Sequence, residues 1–460
     1  MTFYSLVFLI LFLLLLIGIY TAKTKKKQLY IFLLGNIAFY GYWNLGFFLL
    51  IVFITIICYI CALKYGKNRK KVFIYIPTGV CLLVLIYFKY MNFFIDSFCA
   101  AFKITNTSSI SVILPLGLSF YLFQMLSYVF DVQKGIIYPE SDFIKLLTYF
   151  SFFPQITAGP IVKARDFLPQ LESVHVIKKE NIYAGIQLFV LGLTKKLVIA
   201  DRIGIAVNAV YDTPKAYNNI SIIFAIIGYA IQIYCDFSGY SDMAIGIAKM
   251  LDFDLGKNFD MPYIAKNPSE FWRRWHISLS SWFREYVYIP LGGSKKNQIV
   301  TYRNLMITMI LSGLWHGANW TFLIWGMLHG VGSVVYHFYR QHRVPKEKYL
   351  KFKKLMAVLC NNIYVSLLWV IFRASNLKQA CIIFGRLFAT DGMLYINVYT
   401  VAYFILIVIF YSIIKIKYAG VGVIDLKLDT FKGKVIFCTW VFLIVMLMYV
   451  GDSAFIYAQF

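Results

Sequence analysis

The residues best suited to chemistry lie in the segment Ser312-Gly313-Leu314-Trp315-His316-Gly317-Ala318-Asn319-Trp320, inside an apolar stretch long enough to enter a bilayer. An ionisable side chain at that depth is costly and is by default a functional candidate. Histidine titrates near neutral pH and can take a proton from a hydroxyl as a general base. The glycines at 313 and 317 weaken a helix but let another backbone or a substrate come close. The bland alternative is a buried histidine bonded to a neighbouring helix, and the local pattern leaves both open. His329 is a weaker case of the same kind, while His175, His337 and His342 read as loop residues.

A second constellation lies at 264–290. Asn267-Pro268-Ser269-Glu270 carries a helix start: a capping residue, Pro in the first turn and Glu three residues on. At about 100° per residue, one continuous helix puts Trp272, Trp275, Leu279, Trp282, Phe283 and Tyr286 on one face. Arg273, His276, Ser280 and Arg284 fall on an adjoining face. Such a helix lies in the membrane interface, either anchoring its arginines on lipid phosphate or lining a water-accessible funnel with His276. The stretch Cys235-Asp236-Phe237-Ser238-Gly239-Tyr240-Ser241-Asp242 reads as a broken helix whose polar groups satisfy each other, ahead of a cation site or an orienting group for a histidine. Residues 152–160 read as a helix break with a polar turn, and Lys195 and Lys196 as side chains that snorkel to an interface.

Composition dictates the elements that hold these groups. Of 460 residues, 60% are hydrophobic, 19% aromatic and only 14% charged, against about 25% charged in a soluble domain. Mean hydropathy is +0.70. A soluble globule and a disordered basic tail are excluded. The 45 Lys and Arg against 21 Asp and Glu leave a net charge of +24, but the cations cluster in short loops between apolar stretches. That is the pattern of cytoplasmic loops, not of a nucleic-acid surface. The eight cysteines are scattered. Cys58 and Cys61 form one C-x-x-C pair inside an apolar run, read as packed thiols, with no metal site and no disulfide scaffold. The G-x-S-x-G, Walker and H-E-x-x-H signatures do not occur.

Residues 3–20 form a first, uncleaved span, because Lys23, Lys25, Lys26 and Lys27 follow the apolar core, where a signal peptide has its charge in front. The stretch 29–63 is too long for one crossing, and Trp43-Asn44-Leu45-Gly46 reads as a tight external turn within it. Further spans are expected at 72–90, 112–130, 143–162, 182–200, 221–235, 302–320, 321–339, 356–373, 400–416 and 434–450. The basic loop 340–354 is placed inside. Lys427, Lys432 and Lys434 precede an outward final span, so both termini lie outside. Parity then makes one candidate re-entrant, and 221–235 is the shortest, leaving about twelve crossings. The expected class is an all-α polytopic membrane protein, a single integral membrane domain over 1–460 without repeats.

Several longer motifs are similar to those of one family. Pro115-Leu116-Gly117-Leu118-Ser119-Phe120-Tyr121, Ala158-Gly159-Pro160 with Arg165-Asp166-Phe167-Leu168-Pro169-Gln170-Leu171, the 236–242 segment, Phe271-Trp272-Arg273-Arg274-Trp275-His276 and Leu314-Trp315-His316-Gly317 resemble the membrane-bound O-acyltransferase (MBOAT) family over roughly 110–335. The wording is most like the bacterial branch that acetylates cell-envelope polysaccharides such as alginate and peptidoglycan, with teichoic-acid D-alanylation proteins as near relatives. The resemblance implies a ring of tilted helices around a thinned centre, with a cytoplasmic funnel and a tunnel in the 110–335 core. It implies that His316 is the catalytic histidine and His276 a second histidine of the same tunnel. The terminal Phe455-Ile456-Tyr457-Ala458-Gln459-Phe460, in a 434–460 unit of last span plus tail, resembles the C-terminal acyl-accepting tyrosine motif of envelope acyl-transfer systems, carried either on this kind of protein or on a small partner. The competing reading of Tyr457 is an aromatic anchor.

The implied reaction takes an acyl group, most simply acetyl from acetyl-CoA, at the cytoplasmic side of a bacterial plasma membrane. Arg273 and Arg274 are candidates to attract the donor phosphates, and His276 or Asn319 to orient the base or stabilise an oxyanion. Implied partners are an extracytoplasmic acetyltransferase, an envelope polysaccharide and the lipid bilayer, with no bound cofactor, no metal and no nucleic acid. Rivals are D-alanyl transfer from an acyl-carrier protein, an envelope-precursor transporter, for which paired broken helices are missing, and a structural anchor.

Overall fold

The computed structural model describes residues 2–104, 112–156, 159–342, 350–395, 426–449 and 451. Among these residues the chain is helical, with one isolated bridge between Tyr217 and Met393. Two compact units can be distinguished, Met1–Gly185 with Ala244–Lys257, and Ile186–Met243 with Asn258–Phe460. Five described helical runs are long and apolar enough to cross a bilayer: Lys25–Asn68, Val72–Phe102, Lys179–Asp212, Asn219–Met250 and Phe352–Arg373.

In the first unit, Leu6–Thr21 starts at Ser5, whose side chain accepts from Phe8 N–H, and buries Phe8, Phe12, Leu15 and Ile19. Lys25–Asn68 is interrupted where the turn is expected. Asn44 leaves the helical region (φ −165°, ψ 115°) and its Oδ1 accepts from Phe47 N–H at 3.3 Å, capping the second arm. The single span expected over 143–162 is instead Phe143–Phe150, a break, and the single turn Phe153–Ile156. The break is held by the buried Asn36. Its amide donates to Thr148 O and Ser151 Oγ, both at 3.2 Å, and its oxygen accepts from Phe153 N–H at 3.1 Å. Those bonds replace the helical ones, which is how irregular backbone survives away from water.

Asn219–Met250 runs 32 residues without a break. The expectations of a short re-entrant 221–235 and of a broken helix at 236–242 are therefore corrected. Lys195 and Lys196 do not snorkel either. Lys195 Nζ lies 2.6 Å from Asp242, and Lys196 Nζ lies 2.6 Å from Asp236 and 2.8 Å from Asp201. The carboxylates that suggested a break are thus neutralised by lysines of the π-helical stretch Thr194–Ala200. Gly192 and Gly239 allow the approach: a Cβ on Gly192 would stand 2.4 Å from Gly239 O.

Gln298–His316 returns through a short loop into Trp320–His342, so His337 and His342 are helical, not loop residues. These two helices cross at Gly313 and Gly326. A Cβ on Gly313 would meet Phe322 O at 2.3 Å, and one on Gly326 would meet Met309 O at 2.4 Å. Leu350–Arg373, Leu377–Arg386 and Phe431–Leu447 are further helices of the second unit. Its core is built on Trp275, Trp325, Trp369, Phe271, Tyr229 and Phe372. The expected span 400–416 lies outside the described residues.

Candidate active site

The helix expected across 264–290 starts as read: Asn267 Oδ1 accepts from Glu270 N–H at 2.8 Å. Glu270 Oε2 accepts from Lys266 N–H at 3.0 Å, and its Oε1 pairs with Arg274 at 3.2 Å. The helix then stops at Arg274 and resumes as Ile277–Phe283. The continuous helix is corrected to two, because His276 adopts the left-handed conformation (φ 43°, ψ 57°). That conformation is unfavourable for a residue with a Cβ and persists only where the surroundings impose it. Here the segment at 258–260 imposes it. Ile277 N–H donates to Asn258 O at 2.8 Å and Asp260 N–H to Arg274 O at 2.9 Å, one on each side of His276.

The same segment fixes the His276 ring. Nδ1 lies 3.1 Å from Asn258 Oδ1. That atom also accepts from Ser278 N–H at 3.3 Å and Ser278 Oγ at 2.9 Å, while Asn258 Nδ2 donates to Ser241 Oγ at 3.0 Å. A backbone N–H only donates, so the Asn258 oxygen is identified and His276 Nδ1 must carry the hydrogen. In the neutral ring Nε2 then holds the lone pair. It can accept a proton or a hydroxyl hydrogen bond, and it does not serve as a neutral oxyanion donor. Phe237 meets the ring edge-on at 4.7 Å and Trp315 at 5.9 Å.

His316 is the last residue of its helix and is buried. Trp315, Trp325 and Phe372 meet its ring edge-on at 5.1, 5.1 and 5.3 Å between centroids. Gly317 lets Phe322 close this wall, since a Cβ there would stand 2.2 Å from the Phe322 ring. Trp315 touches both imidazoles, so the structure brings His276 and His316 to one indole. Trp325 extends the row to His329 at 4.7 Å. The assembly is two to three imidazoles in an apolar, aromatic surround, suited to taking protons from hydroxyls.

Comparison with known proteins decides the family. Residues 138–377 match the model of the membrane-bound O-acyltransferase family. The chain is 36% identical over 398 residues to the probable alginate O-acetylase AlgI of Pseudomonas putida, covering 85% of this chain and 80% of that one. It is 34% identical over 390 residues to the peptidoglycan O-acetyltransferase of Helicobacter pylori, covering 78% and 73%. It is 28% identical over 257 residues to the teichoic acid D-alanyltransferase of Bacillus subtilis, covering 53% and 64%. The chain belongs to the membrane-bound O-acyltransferase family. It is a multi-pass membrane O-acyltransferase, and the alternatives of a transporter or a mere anchor fall away.

Within this acyltransferase the other expected site residues are distributed unevenly. Arg273 is exposed. Arg274 is engaged by Asp260 at 2.9 Å and by Glu270, so it braces the 258–260 segment. Asn319 has its amide in use: Oδ1 accepts from Thr321 N–H and Nδ2 donates to Ser375 O, both at 3.0 Å, which caps Trp320–His342 and ties it to the end of Leu350–Arg373. Tyr457 lies outside the described residues. Sequence reasoning missed Asn258 and the linking role of Trp315 and Trp325. It also undervalued His329, whose two ring nitrogens have no hydrogen-bond partner among the described residues.

Proposed function

We propose that this acyltransferase moves an acetyl group from a cytoplasmic thioester, acetyl-CoA, to a hydroxyl acceptor for O-acetylation of a cell-envelope polysaccharide. The observation that carries this reading is a buried His316 at a helix end, joined through Trp315 to a tautomer-fixed His276. The alginate and peptidoglycan acetylating relatives support the acyl group and the acceptor class. His316 takes the proton from the acceptor hydroxyl as its oxygen attacks the thioester carbonyl. The tetrahedral adduct collapses, the C–S bond breaks, and the thiolate recovers the proton from the imidazolium. His276 Nε2 orients the acceptor hydroxyl. Arg273, exposed three residues before His276 in the chain, is the candidate cation for donor phosphates.

In this reading Tyr457 is the first acceptor. Its phenol, with a usual pKa near 10, needs the base, and the acetyl-tyrosine passes the group to an extracytoplasmic transferase or directly to the polymer. The membrane arrangement that goes with it is a ring of tilted helices with about twelve crossings and a cytoplasmic funnel. The whole chain 1–460 forms one membrane domain around a 110–335 core, with both termini outside and 434–460 as last span and tail. Labelled acetyl-CoA followed by mass spectrometry of the C-terminal peptide tests the chemistry. His316→Ala is expected to abolish labelling with membrane insertion intact, and Tyr457→Phe to remove the label. Full polymer acetylation by the His316 variant defeats the assignment. Labelling by a D-alanyl carrier instead of acetyl-CoA reassigns the donor.

A further inference from the structure

The helix Phe431–Leu447 is held in place by polar bonds to a distant part of the chain. It turns Phe442, Leu443, Val445 and Met446 outward, where a multi-pass membrane protein meets lipid, and it packs inward through Trp440 and Ile444 on Val190 and Val198. Lipid tails are as apolar as those side chains, so such contacts alone give a helix little reason to stay at one place. Polar bonds to a single stretch supply the reason. Trp440 Nε1 donates to Thr194 Oγ1 at 3.0 Å. Arg202 Nε donates to Leu447 O, and its Nη2 to Met448 O at 3.4 Å. Tyr449 N–H donates to Leu197 O at 3.2 Å. The carbonyls of a helix end need donors, and a cation there is ordinary. This one is not local. It comes from 245 positions earlier in the chain, and the backbone beyond the helix is bonded to the same stretch.

That stretch also supports the site. Thr194–Ala200 is π-helical, a form frequent at functional positions. Its Lys195 and Lys196 pair with Asp242 and Asp236, both at 2.6 Å. Phe237, next to Asp236, meets the His276 ring at 4.7 Å. The end of the final helix and the second imidazole are thus fastened to one piece of backbone. Tyr457 follows Tyr449 by eight residues, a length that extended chain covers in about 28 Å at most. A fixed Tyr449 confines the phenol to that radius. If the root of the tail drifts with its helix, the effective concentration of the phenol at the site falls.

We propose that Arg202, with Thr194 and the Leu197 carbonyl, anchors the root of the C-terminal tail, and that Arg202 is a positioning residue for the acyl acceptor the tail carries. This rests on the reading that Tyr457 is the first acceptor. Arg202 acts through the tail, and neither on the donor nor on the imidazoles.

The test is single-turnover labelling of Tyr457 by labelled acetyl-CoA, with the full chain in nanodiscs. Arg202→Gln is expected to slow labelling about tenfold, with the acetyl-CoA concentration at half-maximal rate unchanged. Arg202→Lys, which still offers a cation to the helix-end carbonyls, should restore most of the rate. Trp440→Phe keeps a ring without the indole N–H. It should slow labelling several-fold, and serves if the arginine variant does not fold. Labelling at the wild-type rate in Arg202→Gln overturns the proposal. So does a rise in the acetyl-CoA requirement that matches the loss of rate, which would put Arg202 on the donor path. The anchor itself is read without chemistry, from the distance between spin labels at the exposed positions of Asp212→Cys and Met446→Cys, in a chain whose native cysteines are replaced by alanine. One narrow distance is expected, broadened by Arg202→Gln and narrowed again by Arg202→Lys. A distribution that Arg202→Gln leaves unchanged overturns the anchor. One that broadens as expected, in a protein never labelled at Tyr457, sinks that acceptor and leaves the anchor standing.

Discussion

At His276 the backbone and the side chain make separate demands. The left-handed conformation (φ 43°, ψ 57°) costs a residue with a Cβ about 1–2 kcal/mol. The paired backbone bonds to Asn258 and from Asp260 hold it there. Asparagine tolerates that region and valine does not. His276→Asn is therefore expected to keep thermal stability within about 1 kcal/mol, and His276→Val to lose about 2–3 kcal/mol, because it adds strain and leaves Asn258 Oδ1 without one of its donors. Both variants should lose at least tenfold in acetyl transfer, since neither offers an imidazole Nε2. Unfolding in detergent and labelled acetyl transfer read the two effects separately. An asparagine variant with undiminished transfer would leave the ring a purely structural part. His316 stood out in the sequence as an ionisable group in an apolar helix, and His276 as part of a polar helix face beside arginines. Asn258 did not, because its value arises only when the chain folds back across 18 positions to meet His276.

The helices were legible where their cause is local and illegible where it is not. The Asn267 cap and the interruption at Asn44 follow from side chains that bond within three residues, so the sequence displays them. No glycine or proline marks residues 274–277, so the break at His276, imposed by a distant segment, does not show. The opposite error at 236–242 has the same origin: two carboxylates and a glycine look like a break until Lys195 and Lys196 arrive from another helix. The Gln298–His316 and Trp320–His342 pair depends on close backbone approach, and that gives an element-scale prediction. Gly313→Ala places a methyl 2.3 Å from Phe322 O and 3.1 Å from Gly326 Cα. Backbone cannot yield as a flexible side chain can, so the helices must separate. The expected cost is about 1–3 kcal/mol. Phe322 packs on Phe372 at 4.9 Å and Phe372 on His316, so transfer should fall along with the melting temperature. Wild-type stability in this variant would mean the two helices are not held at this crossing.

On the scale of the whole molecule, a chain with net charge +24 keeps most of its cations at loops and helix ends, and Lys196 is an exception. It is 1% exposed, as is Asp236, and it answers two carboxylates, Asp236 and Asp201, while Lys195 answers Asp242. Bare charges of this kind do not persist in hydrocarbon, so the network must be complete or absent. Lys196→Met leaves two buried carboxylates uncompensated and is expected to cost about 3–5 kcal/mol, seen as lower folded yield and melting temperature. Adding Asp201→Asn and Asp236→Asn removes the charges that need an answer. Stability should then return to within about 1–2 kcal/mol of wild type, because a neutral network of similar volume often matches a buried ionic one. The groups seen against the two imidazoles are Asn258, Ser278 and aromatic rings, so the folded triple variant should also transfer acetyl groups at close to the wild-type rate. A single variant as stable as wild type would mean water reaches Lys196. A stable triple variant without transfer would instead draw this ionic cluster into the catalytic path.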